Sequence, residues 1–142
     1  MAHHTEDPQC PLCVEKLKQA HPWLAAWFGR VKTQFPNSHV SWAWRGPEDQ
    51  NKMYAEHLTE LQFPHSAHNH MELGKPCSLA LDLFLIDEDG IARFPQLWYA
   101  ALNKRNEDAK EPIHWGGKWK SLGDSDHFQL QVPCSEPTKQ GA

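Results

Sequence analysis

The feature that most constrains this chain is an apolar run that carries one carboxylate, SLALDLFLI at residues 78–86. Side chains of a β-strand alternate between two faces, so the leucines of this run share one face, which belongs in a hydrophobic core. Asp82 falls on the opposite face, where its neighbours Ser78 and Ala80 are small. Because a buried carboxylate is costly unless it is paired, the strand predicts a site around Asp82.

A second strand, HFQLQV at 127–132, places a histidine where it can meet this carboxylate. Phe128 and the apolar residues that follow at alternate positions form its core face, whereas His127 and Gln129 lie on the other face. If the two strands pair in one sheet, Asp82 and His127 lie on the same side of it. We expect these two residues to form the floor of a metal site.

A third ligand is expected in the loop that precedes the Asp82 strand, HSAHNH at 65–70, where His65, His68 and His70 cluster. Two histidines and one aspartate around Zn²⁺ leave a fourth position for water, which is the arrangement of a catalytic zinc site. The alternative interpretation is structural. In that case Asp82 is a partly buried acid, paired with an arginine or bound by backbone N–H groups, and the histidines are exposed.

Asp124 favours catalysis, because it precedes His127 by three residues in GDSDHFQL, a spacing that one tight turn can bring to the same side. A carboxylate beside a metal site can take a proton from an attacking water and then pass it to the leaving amine. Asp126 is adjacent to His127 and would point away from it in a strand. We expect Asp126 to serve in the turn.

The rest of the chain predicts an α+β fold, in which a small, mostly antiparallel sheet is flanked by helices. Helical patterns cover residues 11–20, 22–34, 47–60 and 95–106, and strand patterns cover 39–44, 78–86 and 127–132. The turn DEDG at 87–90 is expected to close a hairpin with IARF, and a polar loop follows the last helix. The 142 residues suit a single domain, with a helical N-terminal part (1–40), a core (41–132) and a loose tail (133–142).

Composition excludes several classes of function. The net charge of −4 without a basic block gives no support for nucleic acid as a partner, and no run approaches the roughly 20 apolar residues of a membrane span. The start MAHHTEDPQCPLC lacks the features of a secretory signal. We therefore expect a monomeric protein that is made in a cytoplasm without a signal peptide and that needs another route out if it acts elsewhere.

The four cysteines, at positions 10, 13, 77 and 134, leave two interpretations open. Cys10 and Cys13 have the spacing of half a zinc site or of a redox pair. They can equally be reduced thiols of the surface or the core, because a disulfide framework is not the default in a chain without a signal.

At the site residues the chain resembles the zinc peptidases of bacterial cell walls, the D-alanyl-D-alanine carboxypeptidase and phage L-alanyl-D-glutamate endopeptidase family. The resemblance runs from about residue 41 to residue 131 and rests on ordered motifs. These are Ser66-Ala67-His68, Ala80-Leu81-Asp82 and Asp124-Ser125-Asp126-His127-Phe128. The segment WGGKWKSLGDSDHFQL at 115–130 resembles the phage endolysin version, as does FPHSAHN at 63–69 preceded by Arg45 and Gln50.

One departure concerns the spacing between the first two ligands, because His68 and Asp82 are 14 residues apart and the family usually has fewer residues there. The Ser-x-His motif favours His68 as the ligand, with His70 as the next candidate and His65 as the last. The resemblance also implies that Arg45 holds a substrate carbonyl or the oxyanion. The alternative for Arg45 is an exposed arginine at the end of a strand.

The resemblance implies a single catalytic domain, a zinc-dependent peptidase that hydrolyses peptidoglycan stem peptides, with residues 41–132 as the zinc peptidase core. It also implies a protein that is made in the host bacterial cytoplasm and acts on the cell wall after release. The phage-type segment favours a phage or prophage endolysin that cuts the L-Ala–D-Glu bond, with zinc on His68, Asp82 and His127 and with Asp124 and Arg45 as catalytic residues. Two alternatives remain. One is a D-Ala-D-Ala carboxypeptidase or dipeptidase, and the other is a non-catalytic, zinc-stabilised virion or wall-binding module.

Overall fold

The computed structural model describes residues 10–118 and 125–131. The helices of these residues are α1 (Pro11–Leu17), α2 (Pro22–Gln34), α3 (Pro47–Ala55) and α4 (Gln96–Asp108). The strands are β1 (Ser38–Trp42), β2 (Met71–Glu72), β3 (Lys75–Pro76), β4 (Ala80–Ile86), β5 (Ala92–Arg93), β6 (Ile113–Trp115) and β7 (His127–Leu130). The α+β class is confirmed. None of the described helices combines the length and apolar character needed to cross a lipid bilayer.

The main sheet is antiparallel and is built around β4. Its strand order is β1-β4-β7-β6, and β5 pairs with the end of β4, as the predicted hairpin requires. Leu81 and Leu83 of β4 are completely buried, which agrees with the predicted core face. They pack with Trp27 and Leu24 of α2 and with Phe128 of β7 in one hydrophobic cluster. The sheet therefore holds its central strand rigidly from both sides.

Local chemistry explains where the helices begin and end. Proline occupies the first turn of α1, α2 and α3, where its missing N–H would have no helical partner. The prediction for 47–60 is too long, because α3 ends at Ala55. There His57 adopts a positive φ of 61°, and the Leu58 N–H turns back to the Met53 carbonyl. The prediction for 11–20 is also too long, since α1 ends at Leu17.

Three short strands were missed by the sequence patterns. β2 and β3 form a small hairpin between the histidine-rich loop at 65–70 and β4, and its turn uses Leu73 and Gly74, both at positive φ. β6 lies where a polar loop was predicted and pairs with β7. These strands were missed because segments of two or three residues are too short to show a recognisable alternation of apolar and polar side chains. Several predicted features, namely Asp124, Val132, Cys134 and the tail 133–142, lie outside the described residues.

Candidate functional site

Three separate parts of the chain bring His68, Asp82 and His127 together. Asp82 lies in the middle of β4 and His127 is the first residue of β7, directly opposite Asp82 in the antiparallel register. His68 lies in a single 3-10 turn, Ala67–Asn69, which precedes the β2–β3 hairpin. Both imidazoles are completely buried and Asp82 is 5% exposed. The sheet thus supplies two of the three side chains, and the histidine-rich loop supplies the third.

The three side chains point their polar atoms at a common point. Asp82 Oδ1 lies 3.1 Å from His68 Nε2 and 3.2 Å from His127 Nδ1. The same two imidazole nitrogens are 3.2 Å from each other. The pattern of strand faces correctly predicted that Asp82 and His127 share one side of the sheet.

Hydrogen bonds at the far side of each ring define which nitrogen faces this point. The Nδ1–H of His68 donates to the Ala43 carbonyl at 2.7 Å, and the Nε2–H of His127 donates to Gln129 Oε1 at 2.8 Å. A neutral imidazole has one N–H and one lone pair. The lone pairs of His68 Nε2 and His127 Nδ1 therefore both face Asp82 Oδ1.

This donor set fits a divalent cation such as zinc. Three acceptor atoms that converge without a proton between them repel one another, and a cation removes that repulsion. Two nitrogen or oxygen ligands that are 2.0–2.1 Å from a tetrahedral zinc lie about 3.3 Å apart. The observed separations of 3.1–3.2 Å are close to that value. Two imidazoles and one carboxylate are also ligands that zinc accepts in catalytic sites.

The protonation of the cluster suits metal binding. Burial lowers the pKa of His68 and outweighs the opposing effect of the Asp82 carboxylate, so the imidazole is neutral at neutral pH. Burial alone would raise the pKa of Asp82, but His68 and His127, when protonated, hold it well below the ordinary value of 3.8, and the Arg45 guanidinium on Oδ2 favours the ionised carboxylate once the rings are neutral. A neutral imidazole and an ionised carboxylate are the forms that bind metal ions.

Arg45 lies behind the carboxylate and is not the exposed arginine of the alternative interpretation, because it is only 1% exposed. Its guanidinium donates to the second oxygen of Asp82, Oδ2, at 3.2 Å and to Gln50 Oε1 at 3.1 Å. The guanidinium also lies over the Trp42 ring, 4.7 Å from its centroid. Asp82 is thus held in place on one oxygen, while the other faces the two histidines.

The turn that carries His68 is held by its neighbours. The Ser66 hydroxyl accepts from the His68 N–H at 3.2 Å, and the Asn69 side chain accepts from the Ser66 N–H at 2.9 Å. The Asn69 amide in turn donates to the Arg45 carbonyl at 2.8 Å. This capping box explains why a serine stands two residues before the histidine. It also connects the loop to Arg45.

The other candidate histidines of the loop lie elsewhere. His65 is exposed. His70 is half-buried, and its Nε2 lies 3.3 Å from a Glu72 carboxylate oxygen, away from the cluster. Asp126 lies in the turn before β7, where its carbonyl accepts from the Leu83 N–H at 2.9 Å.

Sequence reasoning missed two groups that position the histidines, the Ala43 carbonyl and the Gln129 amide. Gln129 had a signal in the sequence, because strand alternation places it on the same face as His127. The structure shows that this polar residue is buried, with 1% exposure. Ala43 had no such signal. A backbone carbonyl is present in every residue, and only the tertiary structure shows which one meets His68.

Comparison with known proteins bears on the fold. No protein-family model matches the chain, and no curated protein matches it. Among solved structures, the crystal structure of the Serratia marcescens L-Ala D-Glu endopeptidase ChiX is similar, with a TM-score of 0.66 and 23% sequence identity over 84% of this chain and 86% of that chain. At this identity the likeness concerns the fold alone, and the chain therefore has the α+β fold of that endopeptidase.

Proposed function

We propose that the protein is a zinc-dependent peptidase that hydrolyses the stem peptides of peptidoglycan, and that it cuts the bond between L-Ala and D-Glu. The observation that carries the proposal is the convergence of His68, Asp82 and His127 with two lone pairs and a carboxylate oxygen facing one point. The fold shared with an L-Ala D-Glu endopeptidase supports the peptidase class.

The residues that would hold zinc are His68 through Nε2, His127 through Nδ1 and Asp82 through Oδ1. Zinc bound there would polarise the scissile carbonyl and lower the pKa of the attacking water. Ala43 and Gln129 keep both rings in the tautomer that presents a lone pair. Arg45 keeps the Asp82 carboxylate ionised and oriented, since it binds the oxygen that faces away from the histidines.

Asp124 is proposed as the general base and acid, on the strength of its position three residues before His127. It would take a proton from the water as the hydroxyl adds to the carbonyl carbon. It would then deliver that proton to the amine nitrogen as the amide bond breaks. The products are a new carboxylate on L-Ala and a new amino group on D-Glu.

Arg45 is proposed to stabilise the oxyanion as well. Its guanidinium has five N–H donors, and the contacts to Asp82 and Gln50 use two of them. The buried Nε has no hydrogen-bond partner among the described residues. A cation with spare donors beside the site suits the developing negative charge of a tetrahedral intermediate.

A phage or prophage endolysin is the proposed biological role. It rests on the resemblance of residues 115–130 and 63–69 to the phage-type segments. In that role the protein would reach the cell wall after release from the cytoplasm in which it is made.

Digestion of purified peptidoglycan tests the proposal. The protein should release fragments with a new amino terminus on D-Glu, which mass spectrometry identifies, and a chelator should stop the reaction until zinc is restored. Release of free D-Ala or of D-Ala-D-Ala with L-Ala–D-Glu intact would instead indicate a carboxypeptidase or dipeptidase. A folded, zinc-loaded protein that cleaves none of these bonds would indicate a non-catalytic module.

A further inference from the structure

A second cluster of metal-binding side chains lies apart from the proposed active site. Cys10 is the residue just before α1, Cys13 lies one turn further along the chain, and His39 lies in β1. Their ligand atoms all lie within 4.8 Å of one another. The exposed fractions are 1% for Cys10, 3% for Cys13 and zero for His39, so the cluster is buried.

The distances within this cluster fit zinc. Cys13 Sγ lies 3.5 Å from His39 Nδ1. A sulfur at about 2.3 Å and a nitrogen at about 2.0–2.1 Å from a tetrahedral zinc lie about 3.6 Å apart. Two thiols and an imidazole are a soft donor set, which selects zinc over magnesium or calcium because those ions require oxygen ligands.

The surroundings of Cys13 also suit a metal-bound sulfur. The backbone N–H of Val40, the residue after His39, donates to Cys13 Sγ at 3.3 Å. Zinc would replace the thiol protons, which pass to solvent, and the Val40 N–H would then stabilise the thiolate.

We propose that Cys10, Cys13 and His39 bind one structural zinc ion that ties α1 to β1. No fourth histidine, cysteine or acidic side chain among residues 10–118 and 125–131 joins the cluster. The site is independent of the proposed active site in its ligands. It is connected to that site through the sheet, because His39 pairs with Phe84 of β4, the strand that carries Asp82.

Such an ion would have a defined structural effect. α1 is only 7 residues long, and a helix of this length has little stability of its own. Metal ligation would fix it against the edge strand β1, whose following residue Ala43 orients His68. We therefore expect zinc to stabilise the fold even in a variant whose active-site ligands have been removed.

Cobalt substitution of the full-length chain tests this proposal directly. Thiolate ligands to Co²⁺ produce an intense sulfur-to-cobalt charge-transfer absorption in the near ultraviolet, whereas histidine and carboxylate ligands do not. We expect this absorption in the wild-type protein and equally in Asp82→Ala. It should be lost in Cys13→Ser and retained in Cys77→Ser, which changes a buried thiol outside the cluster.

Zinc analysis gives the number of ions bound to each of these proteins. The wild-type protein should bind two zinc ions, and Asp82→Ala and Cys13→Ser should each bind one. Absence of the charge-transfer absorption in the cobalt-loaded wild-type protein would overturn the proposal, whatever the folding of the variants. Its persistence in a Cys10→Ser, Cys13→Ser double variant would overturn it too, because other thiols would then be the ligands. Neither outcome bears on peptide hydrolysis at the His68 site.

Discussion

Asp82 and His127 are direct partners across two antiparallel strands, and their Oδ1 and Nδ1 atoms approach to 3.2 Å. The contact follows from the register of β4 and β7, since a shift of one residue would turn one of the two side chains to the opposite face of the sheet. Two of the three proposed ligands are therefore positioned by backbone hydrogen bonds of the core sheet. A site placed in this way is rigid before any metal or substrate binds.

Removal of one imidazole from the His68, Asp82, His127 cluster should abolish metal binding there. We expect His68→Ala to lose the active-site zinc, because two ligands remain and the lost ring is one of the two nitrogen donors. His70→Ala is the matched control, since His70 lies in the same loop but contacts Glu72. Metal analysis after dialysis distinguishes the two variants. Loss of zinc in His70→Ala with retention in His68→Ala would contradict the ligand assignment.

Gln129 should tune the metal affinity without binding the metal. Gln129→Leu removes the acceptor that fixes the His127 tautomer, and the loss of such a contact weakens metal binding by about 10–100-fold. Gln131→Leu serves as the control, because Gln131 lies two residues after Gln129 but is exposed. Competition with a zinc-binding dye measures both affinities. Equal affinities in the two variants would show that the tautomer is set by another group.

Asp124→Asn should bind zinc and fold like the wild type, yet hydrolyse stem peptides more slowly by about 10²–10⁴-fold, the usual contribution of a general base. Asp126→Asn should remain active, because Asp126 is proposed to serve in the turn through its backbone. Both variants are tested by measuring the rate of hydrolysis of a defined muropeptide, and the zinc content is measured in the same samples. A reversal of the two results would assign the base to Asp126.

The two functions of Arg45 can be separated. Arg45→Lys retains a positive charge beside Asp82 but lacks the planar set of donors, so we expect zinc to remain bound while turnover falls. Arg45→Met leaves the Asp82 oxygen Oδ2 and Gln50 without their donor in a buried place, and we expect a loss of roughly 3–5 kcal/mol in stability. Urea unfolding and kinetics on the same samples measure the two effects. Full activity in Arg45→Lys would rule out the oxyanion role.

Glu111 predicts a pH dependence of stability that is remote from the site. It bridges Arg30 of α2 at 3.0 Å and Arg105 of α4 at 2.7 Å. Partial burial would raise the pKa of Glu111, but hydrogen bonds from both arginines hold it below the ordinary value of 4.5. The folded state thus binds the proton more weakly than the unfolded state does. The stabilisation is complete above the unfolded pKa and is lost as the pH falls through the folded pKa.

Thermal unfolding between about pH 5 and pH 3 measures this effect. The wild-type protein should lose more stability over that range than Glu111→Gln, which lacks the titrating group. Glu107→Gln is the control, because the ion pair of Glu107 with Lys118 is more than half exposed on both sides and contributes little. If stability falls equally with pH in the wild type and in Glu111→Gln, the ion pairs of Glu111 with Arg30 and Arg105 do not contribute to stability.

Much of the site was determined by the sequence alone, because strand periodicity is a local property. Alternation in residues 78–86 separates the leucines from Asp82, and the same alternation puts His127 opposite the apolar face of its strand. The spacing of Cys10 and Cys13 likewise shows a possible half-site for metal. In each case the relevant residues are close together in the chain and one element defines their geometry.

The tertiary structure decided which distant groups meet. His68, rather than His65 or His70, enters the cluster because Ser66 and Asn69 cap its turn and the following hairpin takes up the extra residues before β4. Arg45 is buried behind Asp82, and His39 approaches Cys13 from a different element. These contacts depend on the register of the sheet and on how helices pack against it. Such long-range relationships carry no periodic signal, and so the sequence could not specify them.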